Sequence, residues 1–396
     1  MPRQHQRIIT LNYTSFLTLG LIGSTIGPSL PTLARQMDVG LDAAGGLVSS
    51  LSVGYLIAGL TAGPIVDALG RRPVYLASLG IQTFSLLSIL FAPSLAMGML
   101  AFFLLGLGQG GIDIAVHVII GDAAGQKRGA ALNRVHIFFG LGGLVGPIVT
   151  GYGLKMLGNS WPSFASFSLL TLLILCGVIL TPLPTRRQAS QSAATNTKSV
   201  LARGTFWILA LFFVLCVGVE VGIGTWIFAF LSKGLDAQIT LASWSASGFY
   251  LAITAGRLAG SKFAGRQARD VKLVLIGLGG ALGGLLLLWT GGMFSSVWLF
   301  IAGVLVVGFC FGPVYPTAMG LTQQRFPSAA GTAIGLITAG ASLGAVSIPW
   351  LLGWLLTHNG LLWSVAAAGM FTLILLSVGV AAIPQRRQKQ SSTVEF

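Results

Sequence analysis

Long apolar runs separated by short polar breaks set the pattern of this 396-residue chain. Read between charged or turn-forming residues, the runs number twelve, at 8–32, 43–66, 73–92, 95–121, 130–156, 162–182, 204–231, 240–263, 271–291, 294–322, 329–356 and 360–384. Each approaches the roughly 20 apolar residues with which an α-helix crosses a bilayer core. A membrane β-barrel would instead show alternating segments of about ten residues, and stretches such as 169–175 do not alternate. The pattern predicts an all-α membrane protein with twelve transmembrane helices. The first run is long enough to span, so it reads as a membrane helix and not as a cleavable signal.

Composition agrees: 54% of residues are hydrophobic and only 8% charged, against about 25% charged in a typical soluble domain. Such a chain cannot clothe a water-soluble globule, which excludes a soluble enzyme. Its 55 glycines suit close packing of helices in lipid. Cys176, Cys216 and Cys310 all sit within apolar runs and form no disulfide or metal pattern.

The formal charge is +14, and position explains it. Nineteen of the 23 Lys and Arg residues fall in breaks on one side of a twelve-helix chain. The opposite side holds Arg35, Lys155 and Lys233, and Arg257 lies within the eighth run. Basic residues in short loops stay cytoplasmic, so both termini are expected in the cytoplasm. The expected location is a bacterial inner membrane, and the charge implies no nucleic-acid partner.

The longest polar stretch, 183–203, divides the chain into 1–182 and 204–396, six runs each. A shift of 202 residues places Gly129 on Gly331, Gly142 on Gly344, Pro147 on Pro349 and Gly151 on Gly353. Glycines coincide cheaply in such a composition; a proline at the same offset across two helices does so less easily. The expectation is two pseudo-symmetric six-helix bundles joined by a cytoplasmic linker, a transporter architecture.

Between the second and third runs the chain reads Gly63-Pro64-Ile65-Val66-Asp67-Ala68-Leu69-Gly70-Arg71-Arg72. This resembles the G-x-x-x-D-x-x-G-R-R/K signature of the major facilitator superfamily, in the loop where that family carries it. The resemblance implies the major facilitator fold over essentially the whole length. It also implies a gating role for Gly63, Asp67, Gly70, Arg71 and Arg72, with Asp67 facing the start of the eleventh helix. Gly70 permits a tight turn, and the two arginines are expected to anchor at lipid headgroups or simply to set topology. The matching stretch 260–266 lacks the acid.

A narrower likeness lies in helices four and five. Gly108-Gln109-Gly110-Gly111-Ile112-Asp113-Ile114-Ala115-Val116-His117, then Leu132-Asn133-Arg134-Val135-His136-Ile137-Phe138-Phe139-Gly140, is similar to the fucose–galactose–proton symporter branch and related glucose transporters. There an acid in helix four precedes an amide by four residues. Glu220 to Trp226 in helix seven and Gly312 to Thr317 in helix ten resemble the same branch. His117 replaces the usual amide, and helix one lacks a carboxylate, so a two-carboxylate coupling scheme does not transfer.

Ionisable groups within lipid mark function by default. Gln109, Asp113 and His117 form one stripe of helix four. Counting back from a turn near Gly125 sets Asp113 level with His136 and His117 level with Asn133. Burial and mutual attraction push their proton affinities in opposite directions, so such a cluster suits proton exchange near neutral pH; a static polar clasp between the two helices is the rival reading. Glu220, without a charged partner on its own helix, is expected to accept a substrate hydroxyl or a second proton.

Trp226, Tyr250 and Tyr315, together with Trp244, offer aromatic surfaces for a pyranose, whereas Trp161, Trp298 and Trp363 fit interfacial belts. Arg257 either snorkels or anchors an anion. Pro28, Pro31, Pro147, Pro313, Pro316 and Pro349 mark candidate flexing points.

These readings converge on a secondary transporter of a small neutral solute, a hexose or deoxyhexose, coupled to protons by alternating access. Asp113, His117, His136 and Glu220 would carry the proton; Gln109, Asn133, Glu220, Trp226, Tyr250 and Tyr315 would line the substrate site. A proton-coupled exporter of drugs or amphiphilic metabolites is the alternative, and an uncoupled receptor or scramblase a third. The expected partners are the solute, protons and membrane lipids. A monomer is expected, with no cofactor or metal, the proton gradient being the energy source.

Overall fold

The computed structural model describes residues 2–181, 197–232, 234–265 and 267–382. Among them twelve membrane helices follow the apolar runs closely. The first six are α1 (Pro2–Gln36), α2 (Leu41–Leu69), α3 (Arg71–Leu90), α4 (Leu95–Ala124), α5 (Arg128–Leu157) and α6 (Trp161–Leu180). The second six are α7 (Gly204–Ser232), α8 (Ile239–Phe263), α9 (Gln267–Met293), α10, α11 (Ala330–His358) and α12 (Leu361–Ala382). The tenth is broken into α10a (Val297–Phe311) and α10b (Val314–Arg325). The linker expected at 183–203 lies largely outside the described residues, apart from a short helix, Thr197–Leu201.

The break in α10 falls at Gly312-Pro313, where proline supplies no backbone N–H and its ring crowds the preceding turn. The other prolines do not break their helices. Pro28 and Pro31 in α1, Pro147 in α5 and Pro349 in α11 sit inside continuous helices, and Pro316 lies within α10b.

Loop chemistry sets the helix ends. Ser94 and Ser296 cap α4 and α10a by accepting from the N–H groups of Met97 and Leu299. Gly70, at φ +92°, turns α2 directly into α3, a backbone setting that side chains disfavour. Alternation of crossings gathers Arg71, Arg72, Lys127, Arg128, Arg203, Lys262 and Arg325 at one end of the molecule, called here the basic end. The exposed Trp161, Trp244, Trp298 and Trp363 begin helices at the opposite end.

In the first set α2 packs on α4, α1 on α5, and α3 on α4 and α6. In the second, α7 packs on α11 and α12, α9 on α10a and α12, and α8 on α10a. The sets meet along α2 with α11, and along α5 with α8 and α10b. Glycine makes the first of these seams possible. A Cβ at Gly63 would collide with the Gly331 carbonyl, and one at Gly59 would lie 2.9 Å from that of Gly335. Small residues substitute here for the hydrophobic drive that lipid removes.

Candidate functional site

Where α4, α5 and α10b converge, the predicted stripe becomes a hydrogen-bonded chain. His117 Nδ1 lies 3.2 Å from Asp113 Oδ1 and 2.8 Å from the Asp113 carbonyl. Its Nε2 lies 3.2 Å from His136 Nε2. Two acceptors around Nδ1 require that nitrogen to carry hydrogen, and the contact between the Nε2 atoms requires one hydrogen shared between the rings. Phe16 and Tyr315 close the pair, each meeting both imidazoles edge-on.

The register differs from that read off the sequence. His117 faces His136, and the hairpin axis falls between residues 126 and 127, because the connection is a 3-10 turn at Gly125–Lys127. Asn133 is therefore displaced from His117. It donates to Thr317 Oγ1 of α10b at 2.8 Å and packs against Gly260 of α8, so it joins the two helix sets. Gln323 of α10b makes a parallel link, donating to the His117 carbonyl at 2.6 Å.

Asp113 Oδ2 and Gln109 Nε2 are buried without a hydrogen-bond partner. A buried polar atom left unpaired is costly, and these two lie on one stripe of α4. Tyr55 of α2 and Tyr315 stand beside the Asp113 carboxylate.

Glu220 has a charged partner after all, on the neighbouring helix. Arg257 Nη2 of α8 lies 3.3 Å from Glu220 Oε1 of α7, and its Nη1 donates to the His136 carbonyl at 3.3 Å. The Arg257 side chain is 8% exposed and that of Glu220 17%. The arginine points inward and does not snorkel. Through it the second set reaches the backbone of the histidine cluster in the first.

Two aromatic expectations change. Trp226 donates its indole N–H to the Pro349 carbonyl at 2.7 Å and packs flush on Gly353, which ties α7 to α11 and away from the histidines. Trp244 belongs with the tryptophans at the end opposite the basic loops. Tyr250 does lie on the Arg257 face of α8, about two turns further from the basic end. It is 57% exposed, with its phenol over Gly224 of α7.

At the basic end, Asp67 sits on the N-terminus of α11. Its Oδ1 accepts from the Gly331 N–H at 3.0 Å, and its Oδ2 from the N–H and hydroxyl of Thr332, each at 2.7 Å. A carboxylate there meets unsatisfied N–H groups and the positive end of the helix dipole. Arg71 and Arg72 both have protein partners. Arg71 pairs with Asp122 at the end of α4, and Arg72 donates to the Ile179 carbonyl of α6 at 2.9 Å.

The sequence reading missed Asp270. It is fully buried in the first turn of α9, accepts from the Gly265 N–H at 2.8 Å, and lies against Gly129 in the first turn of α5. Asp270 thus packs against the start of α5, with its Oδ2 making no hydrogen bond there. Its signal was available four residues beyond the degenerate stretch 260–266. All these links between the two sets, from Asp67 to Arg257, lie between the basic end and the middle of the bundle.

A model of the Major Facilitator Superfamily matches residues 13–339 and 290–395. A mouse protein called sodium-dependent glucose transporter 1A is 21% identical, covering 96% of this chain and 98% of its own. Multidrug resistance protein D of Escherichia coli is 25% identical, covering 87% of this chain and 88% of its own. Among solved structures, the E. coli fucose:proton symporter superposes with a TM-score of 0.75 at 14% identity, covering 95% of this chain and 98% of that one.

Proposed function

The chain belongs to the major facilitator superfamily, and on that premise we propose that it is a proton-coupled importer of a small hydroxylated solute of the sugar class. The observation that carries this reading is the buried chain Asp113–His117–His136, placed where the two helix sets meet. A proton bound there is held within the first set, by groups that Tyr315, Gln323 and Arg257 of the second set cover, so its surroundings depend on how the sets sit. Rocking the sets about this point would expose the chain to one side of the membrane and then the other. The open Asp113 Oδ2 and Gln109 Nε2 supply an acceptor and a donor for hydroxyls. Tyr315 supplies a ring beside them. The charge asymmetry of the loops supports cytoplasmic termini.

The test is uptake into proteoliposomes under an imposed pH gradient. Asp113→Asn keeps the shape but takes no proton. Gradient-driven accumulation is expected to vanish, while equilibrium exchange of solute persists. Unchanged accumulation by the variant would refute proton coupling through this residue. Replacing sodium by choline in the same assay separates proton coupling from sodium coupling, the dependence that the name of the mouse relative carries.

A second reading, export of amphiphilic compounds by proton exchange, is favoured by the likeness to multidrug resistance protein D. It predicts that lipophilic cations, and not sugars, elicit proton movement from liposomes loaded with the protein.

A further inference from the structure

Arg257 is buried at the centre of the molecule, yet its guanidinium is poorly used. Its two bonds, to Glu220 Oε1 and to the His136 carbonyl, are both long at 3.3 Å, and its Nε has no acceptor. A guanidinium offers five N–H groups in a rigid fork matched to two oxygens of one carboxylate. Glu220 meets that fork with a single oxygen, so the pair is not the side-by-side arrangement the fork can make. Its surroundings are not closed on every side. The Glu220 side chain remains partly open, Tyr250 on the same face of α8 is exposed, and Tyr315 neighbours Arg257 and Glu220 on one side and Asp113 on the other.

We propose that the transported solute carries a carboxylate, which Arg257 takes in place of Glu220, so that the substrate class is a hydroxylated acid such as a hexonate or hexuronate. The proposal rests on the transporter reading above and narrows its substrate. The carboxylate docks on the Nε and Nη2 edge of Arg257. The hydroxyls of the solute then lie towards Tyr250, Tyr315 and the open atoms of Gln109 and Asp113.

Charge balance gives the coupling. The empty site holds Glu220 as an anion and Arg257 as a cation, and sums to zero. Loading adds one carboxylate and one proton; the proton, taken up by the Asp113–His117–His136 chain and relayed on, forms an O–H bond on Glu220, which frees Arg257 for the substrate. The loaded pair again sums to zero. On release that O–H bond breaks, the proton leaves with the acid, and Glu220 returns to Arg257. An anion and a proton therefore cross together without net movement of charge by this pair.

The probes are D-gluconate and D-galacturonate against D-glucose and D-galactose, with binding read by tryptophan fluorescence and by calorimetry on the purified full chain at two pH values. The acids are expected to bind, and the neutral hexoses to bind at least about thirtyfold more weakly, as expected for a charged partner left buried and unpaired. Arg257→Lys keeps the charge and loses the fork, and is expected to weaken acid binding about tenfold. Glu220→Gln is expected to bind acids with no pH dependence and no proton uptake.

In liposomes, acid uptake driven by a pH gradient should be unaffected when the membrane potential is clamped at zero. Equal binding of hexoses and acids, binding of none of the four probes, or wild-type acid binding by Arg257→Lys overturns the proposal. Loss of acid uptake on clamping the potential overturns it too. Failure of the Asp113 test alone leaves acid recognition standing and removes only the histidine relay, so the two failures are distinguishable.

Discussion

Replacing Trp226 by Phe separates a structural indole from a substrate platform. The ring remains, but the Pro349 carbonyl loses its donor at 2.7 Å, at a cost of about 1 kcal/mol. The expected outcome is a lower unfolding temperature with substrate affinity unchanged; a large loss of affinity with normal stability would restore the platform role. This residue shows what a sequence conceals. Trp226 stands near Glu220 in helix seven, but its partner is on α11, more than a hundred positions away, and no helical periodicity reports that. Arg257 is the converse case. Its presence within an apolar run was legible as an anomaly, whereas its partner required the packing of α8 on α7. The stripe Gln109, Asp113, His117 was readable because its spacing is local to one helix. His136 joined it only once the turn geometry fixed the register.

At the scale of helices, the seam between α2 and α11 depends on glycine. Gly63→Ala places a Cβ against the Gly331 carbonyl at less than any normal contact, so the helices must separate at the point where Asp67 caps α11. Asp67→Asn leaves the helices in place and removes the charge. It weakens three hydrogen bonds and the interaction with the helix dipole, by about 1 kcal/mol or somewhat more. Both variants are expected to insert normally and to transport poorly, with Gly63→Ala the more severe. The check is uptake rate normalised to folded protein. If Gly63→Ala transports as well as the parent, close approach of α2 and α11 is not needed for the cycle. Helix positions themselves were legible from the apolar runs to within a few residues, because lipid compels each crossing to bond its own backbone. The break of α10 at Gly312-Pro313 was legible as well. Which prolines are absorbed into continuous helices was not, since that depends on neighbours able to accept the freed groups.

For the whole molecule, the distribution of cross-links specifies which side is shut. Asp67 on α11, Gln323 on the His117 carbonyl and Asn133 on Thr317 join the two sets in the half nearer the basic loops, where Asp270 also packs beside α5. The exposed face of Tyr250 lies further towards the opposite end. A solute entering this conformer arrives from the end opposite the basic loops. With the exposed Cys176 replaced by Ser, a cysteine at Tyr250 is expected to react from outside the cell with a membrane-impermeant thiol reagent. A cysteine at Gln323 is expected to stay protected from the cytoplasmic side. Removing both carboxylates, as Asp67→Asn with Asp270→Asn, withdraws the anions from two helix starts at once. A combined loss of 1–2 kcal/mol corresponds to about a five- to thirtyfold change in an equilibrium. Labelling at position 323 should therefore rise by about that factor in the doubly substituted background, as labelling at 250 falls. Reactivity at 323 that is already high with both acids in place would mean that these contacts do not hold the basic end closed. The acid pair would then serve assembly alone, and control of the cycle would pass to the Arg257 bridge between α8 and the His136 carbonyl.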